Sequence, residues 1–161
     1  DAAAERAAAL FRHEEEVQPL QVATFRFLQR RADALYPEVV AEYERGELTV
    51  RRNAGEAIGT RLDELLEQEL TDFYRNLGLS ESELIRVKGR EHILGQTYSI
   101  PDARVADVYF DISVGEKRPL DNQIIDFFDT ISRPTYVIII RPRQRGRSYI
   151  ITPPRRRYSR G

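Results

Sequence analysis

The sequence predicts an α/β domain, a mixed sheet of about four or five strands flanked by helices, with a helical extension before it. Three observations carry that expectation. Residues 53–77 keep Ile58, Leu62, Leu65, Leu66, Leu70 and Phe73 on one helical face. Short β-prone runs follow, among them residues 105–114. Residues 135–141 are almost wholly apolar, which suits a strand buried on both faces in a parallel position.

Residues 2–16 are rich in alanine and glutamate and favour a helix. Leu10, Phe11 and Val17 give it only a narrow apolar stripe, so it is expected to pack lightly or against something outside the chain. Pro19 opens a second helix running to Tyr36, with Leu20, Ala23, Thr24, Phe27, Leu28 and Leu35 at helical spacing. Pro37 opens a third short helix that Gly46 closes. Residues 1–50 therefore form a helical extension or a linker to a parent protein, residues 51–154 an α/β domain, and residues 155–161 a basic tail. Asn53 is positioned to cap the long helix that stops at Gly78. Residues 84–87 are a first strand, 88–90 a turn, and 91–97 a poorly patterned return. Residues 98–100 and 105–114 are expected as the second and third strands. A short helix over 123–131, the apolar strand over 135–141 and a last strand over 148–152 complete the order.

The chain has 161 residues, 41% apolar and 32% charged, enough for one modest core under a charged surface. It has no cysteine, which excludes disulfides, thiol catalysis and thiolate metal sites. It has no methionine either, so it is expected to be a piece of a longer protein or a processed product. No apolar run approaches the ~20 residues that span a bilayer, and no signal peptide is visible. Net charge is −1, but unevenly placed: residues 1–48 hold ten acids against six arginines, while eight arginines and no acid follow from Arg141 onward. A basic end on a neutral chain is an electrostatic footprint for phosphate, or else a solvated tail.

Asp102 follows Pro101, which favours extended backbone at Ile100 and puts the acid at a turn or strand edge. Asp111 ends an alternating run of valine, tyrosine and phenylalanine. Strands meeting in a hairpin would bring the two acids together at one end of a sheet. Two carboxylates a few ångströms apart, with an ammonium beside them, suit a divalent metal and the water it activates. Lys117 can provide that ammonium, although a lysine in its Gly-Glu-Lys-Arg-Pro turn is by default a surface residue, and Glu116 reads as part of the turn. Other chemistries find no support. His13 and His92 lack metal-ligand spacing, Ser99, Ser113 and Ser148 have no nearby histidine, and Gly55 and Gly59 lack the lysine of a phosphate loop.

Pro101-Asp102, then Asp111 and a later lysine, resemble the PD-(D/E)xK nuclease signature of the restriction-endonuclease-like fold. More narrowly, residues 100–113 (IPDARVADVYFDIS), Lys117, Gln123 and residues 137–142 (VIIIRP) are similar to restriction-endonuclease-fold toxin domains at the C-termini of bacterial polymorphic toxins. The resemblance covers roughly residues 53–154. It implies a metal-dependent nuclease, with DNA favoured over RNA, using Mg2+ or Mn2+ held by Asp102 and Asp111. Lys117 would stabilise charge, and Gln123 would hold a water or a phosphate oxygen. A third acid would come from the long helix: Asp63 is preferred, Glu56 is the reserve, and Glu69 lies on the apolar face. Arg141, at the end of the apolar strand, could reach backbone phosphate or equally be a surface arginine, and Arg143 is expected beside it in binding nucleic acid. A toxin would also imply a cognate acidic immunity protein and delivery into a target-cell cytoplasm. The family pattern places its lysine two residues after the second acid, where this chain has Ser113. The ammonium has therefore either moved to Lys117 or been lost, and its loss would leave a silent nucleic-acid-binding or protein-interaction module.

Overall fold

A computed structural model of the chain describes residues 1–13, 16–93, 95 and 97–154. The basic tail expected over residues 155–161 lies outside the described residues.

Three helices come first: α1 (Ala2–Arg12), α2 (Gln18–Glu44) and α3 (Ala54–Asn76). Asp1 caps α1 by accepting the Ala4 amide at 2.8 Å, and Asn53 caps α3 by accepting from Glu56 N at 2.9 Å. The narrow stripe expected on α1 is made of small residues. Ala4, Ala7 and Ala8 are buried, and the helix lies against α2. The two helices expected on either side of Pro37 are one. Proline removes a single amide donor and would usually break or kink a helix. Here Leu35 and Val39, both buried, hold that stretch against the core from either side of Pro37. Packing overrides the local preference, and the chain leaves the helix only at Gly46, in the left-handed region at φ 72°.

The main sheet has five strands in the order β1 (Ile85–Val87), β4 (Ala103–Val105), β5 (Val108–Ile112), β6 (Tyr136–Ile140), β7 (Tyr149–Ile151). Only β5 and β6 run parallel, and α4 (Asn122–Phe128) lies between them in the chain. The mixed α/β architecture and the parallel position of the apolar strand agree with the sequence. The strand boundaries around Asp102 do not. The partner of β5 is β4, not residues 98–100, and the turn falls at Ala106–Asp107 inside the run read as one strand. Residues 98 and 99 instead form β3 (Tyr98–Ser99), which pairs with β2 (Glu91–His92) in a separate ribbon. The turn holds without glycine because its neighbours take up its polar groups. Ala106 sits at φ 53°; the Asp107 carboxylate accepts from Gln21 Nε2 at 2.9 Å and from the Thr135 hydroxyl.

The helical extension belongs to the same core as the sheet. Leu20, Leu28, Ala32 and Val39 of α2 pack in one cluster with Leu62 and Leu66 of α3 and Val105, Phe110 and Ile140 of the sheet. Each large side chain buried there contributes about 1.5–3 kcal/mol. The Thr24 and Tyr74 hydroxyls bond at 2.6 Å between α2 and α3. The opposite face of the sheet packs Tyr109, Val137, Ile139 and Ile151 against Ile124 and Phe127 of α4. Among the described residues no helix is long and apolar enough to cross a membrane.

Candidate functional site

Asp102 and Asp111 meet where β4 and β5 end together. Ala103 pairs with Phe110, so the next residues outward, Asp102 and Asp111, face each other across the hairpin. Asp102 has left the strand, and its Oδ2 accepts the Ile112 amide at 2.6 Å, in place of a backbone carbonyl. That turn of the chain carries its other oxygen toward α3. Asp63 arrives there from the helix, and both acids bond the Lys88 ammonium, Asp102 Oδ1 at 2.5 Å. Asp63 and Asp102 thus share one ammonium, with Asp111 across the hairpin from Asp102 at the end of the sheet. Asp102 and Asp111 are 7% and 4% exposed, so these are buried acids rather than turn decoration.

Lys88 is the site residue that the sequence did not reveal, since residues 88–90 read as a turn. It follows β1 and occupies the left-handed region at φ 55°, uncommon for a side-chain-bearing residue. Its amide donates to Asp102 O at 3.1 Å, which continues the β1–β4 pairing by one bond. One compositional signal could have pointed to it. The chain holds 25 lysines and arginines, and Lys88 and Lys117 are its only lysines. Both lie at the aspartate cluster.

Lys117 approaches from the other side, its Nζ 3.9 Å from Asp111 Oδ2 and donating to Gln123 Oε1 at the start of α4. The structure therefore brings Asp63, Asp102, Asp111, Lys117 and Gln123 into one neighbourhood. Glu56 lies on the same stripe two turns before Asp63, with Oε2 buried and unpartnered. Glu69 is paired with Arg31 of α2. Ser113 donates to Gly115 O at 2.6 Å and shapes the loop after β5. Arg141 Nη2 donates to Val114 O at 2.9 Å, which fastens that same loop. Arg143 is 80% exposed with its Nε 3.3 Å from Asp33.

Charge is badly balanced here. Burial pushes Asp63 up to about 7, helped by the charge of Asp102. Burial likewise lifts Asp102 to about 6, with Asp111 adding to it. Asp111 is raised too, mainly by burial, against the pull of Lys117. Burial opposes the Lys88 ammonium, but Asp102 and Asp63 outweigh it and raise its pKa. Like charges in one buried site cannot all ionise freely, so Asp63 and Asp102 behave as a coupled pair that retains a proton toward neutral pH.

Two oxygens of the cluster, Asp63 Oδ1 and Asp111 Oδ2, are buried with no hydrogen-bond partner. Hard oxygen donors that lack partners suit Mg2+ or Mn2+. Among the described residues no three histidine, cysteine or acidic side chains stand ready to hold a metal ion together. The Lys88 ammonium bonded to both Asp63 and Asp102 accounts for that, since it takes up two of the three acids. Magnesium is commonly held by one or two carboxylates with water and substrate phosphate completing the shell; Asp111 fits such an ion through its unpartnered Oδ2, and Asp102 would join it through an oxygen that also accepts from Lys88 or from Ile112 N. No family model, curated protein or solved structure matches the chain. The likeness to restriction-endonuclease-fold toxins rests on the residues quoted for it.

Proposed function

We propose that this chain is a metal-dependent nuclease that hydrolyses phosphodiester bonds, as a toxin domain would, with DNA its preferred substrate. One observation carries the reading: two buried aspartates, Asp102 and Asp111, and the half-buried Asp63 converge with the chain's only two lysines, and two carboxylate oxygens there lack partners. Asp102 and Asp111 would hold Mg2+ or Mn2+, which when bound supplies Lewis-acid activation of water and phosphate. Asp63 neutralises Lys88 and offers Oδ1 to a water or its proton. Lys117 presents a positive charge beside Asp111, where it would meet a phosphate oxygen, and Gln123 holds that ammonium by accepting from it. Arg118, exposed in the same loop, adds positive charge beside Lys117. An acidic immunity protein that competes with nucleic acid is the partner this charge pattern would favour, since complementary charge speeds association.

The test is supercoiled plasmid incubated with purified protein and Mg2+, with and without EDTA. Cleavage that disappears with chelator, and in Asp102→Asn and Asp111→Asn, supports the enzyme. Equal cleavage by both variants sinks it. A second reading is a silent binding module of the same fold, favoured by Ser113 in the lysine position and by Lys88 occupying two of the acids. Plasmid retardation without cleavage would support that reading instead.

A further inference from the structure

Residues 113–121 leave β5 and arch over the end of the sheet. Gly115, Glu116 and residues 118–120 of this loop are exposed, Leu120 by 74%, yet Lys117 in their midst is half-buried. Its side chain reaches Gln123 and Asp111, and its backbone is held from the sheet. The Tyr149 hydroxyl accepts from Lys117 N at 2.6 Å and donates to Lys117 O at 2.6 Å. Both hydrogen-bonding capacities of the phenol thus end on the backbone of one residue, 32 positions away in the chain.

Register explains why the phenol stands there. Asp111 pairs with Ile139 in the parallel ladder, and Ile139 pairs with Tyr149 in the antiparallel one. Paired residues on neighbouring strands present their side chains to the same face, so Asp111, Ile139 and Tyr149 form one row on the α4 side. Two strand spacings separate the ends of that row, about 10 Å. The flexible four-carbon stem of a lysine spans most of that gap. Lys117, held at its backbone by the Tyr149 hydroxyl at one end of that row, delivers its ammonium to Gln123 and toward Asp111 at the other.

We propose that Tyr149 is a positioning residue, which clasps the Lys117 backbone and aims its ammonium at the aspartate cluster. This rests on the hydrolytic reading only for its effect on turnover; the clasp itself does not depend on it. Arg141 fastens the start of this loop at Val114, and fixing the backbone of Lys117 itself spares the lysine a conformational search before substrate arrives.

The test uses Tyr149→Phe, which keeps the ring packed against the α4 face and removes only the hydroxyl. Uniform [15N]lysine labelling of the full chain yields two backbone amide resonances, one from Lys88 and one from Lys117. The expected result is a shifted Lys117 amide with faster hydrogen exchange, an unmoved Lys88 amide and an unchanged melting temperature. In the plasmid assay, kcat should fall about tenfold to 100-fold with KM unchanged. Lys117→Gln should fall similarly, and the double variant no further. A Lys117 amide unmoved in Tyr149→Phe overturns the clasp. A shifted amide with wild-type kcat, alongside a slow Lys117→Gln, overturns the positioning role. A wild-type protein that cleaves nothing refutes the hydrolytic reading by itself, and the two lysine resonances then still decide whether the clasp exists.

Discussion

Glu91 of the β2–β3 ribbon and the aspartates at the end of the main sheet carry opposite balances of charge. Glu91 on β2 is 3% exposed and meets two arginines. Its Oε1 accepts from Arg104 Nη1 at 2.9 Å and from the Ser132 hydroxyl at 2.5 Å, and Arg86 Nε stands 3.9 Å from Oε2. One negative charge faces two positive ones, and the group fastens the β2–β3 ribbon and the chain after α4 to the main sheet. At the aspartate cluster three acids face two lysines, and Asp63 Oδ1 and Asp111 Oδ2 are unpartnered, as Glu91 Oε2 is too; the difference lies in the balance of charge. A buried acid held by one arginine N–H and a hydroxyl, with a second arginine facing it, is a fastening. Acids in excess of the lysines that serve them are what the proposed cation site rests on.

The largest separation between the two groups is expected in catalysis. Asp102→Asn or Asp111→Asn should abolish Mg2+-dependent plasmid cleavage, and Lys117→Gln should slow it by roughly 10²–10³, the effect of losing one charge-stabilising donor. Initial rates on supercoiled plasmid measure both. Stability should reverse the order. Glu91→Ala leaves buried arginine without its acid and should cost about 3–5 kcal/mol in urea unfolding. Asp111→Asn, which removes a charge that burial disfavours, should be neutral or stabilising at pH 8. Saturating Mg2+ sharpens the contrast. At one hundred times its dissociation constant it should add about 2.7 kcal/mol, a melting shift of roughly 5–10 °C, in wild type but not in Asp111→Asn.

The aspartates should also make stability depend on pH. Asp63 and Asp102 rise from 3.8 in the unfolded chain to about 7 and about 6 in the fold. Between those limits the folded state binds more protons than the unfolded state, so their contribution to stability is present below pH 4 and is lost as pH rises through about 7. Urea midpoints measured from pH 4 to 8 should fall on that account. Asp63→Asn should flatten the decline.

Much of this arrangement was legible because it is local. Asn53 capping α3, the apolar run of β6, and the Asp102 and Asp111 spacing around a hairpin all follow from patterns a few residues long. The hairpin itself was placed one strand too early, because Ala106 and Asp107 carry no glycine or asparagine and are held in their turn by Gln21 and Thr135 from elsewhere. Pro37 likewise marked a helix end that packing against Leu35 and Val39 erased. Lys88 was hidden for the same reason. A lysine before glycine reads as a surface turn, and only the docking of α3 brings Asp63 to its ammonium. Tyr149 is recognisable only once the registers of β5, β6 and β7 align it with Asp111.

The claim that the aspartate excess is a cation site is tested most directly by calorimetric titration of Mn2+ into the metal-free protein at pH 8, beside Asp111→Asn and Glu91→Gln. The account requires saturable single-site binding in wild type and Glu91→Gln, and its loss in Asp111→Asn. Absence of binding to wild-type protein, or undiminished binding to Asp111→Asn, would contradict it.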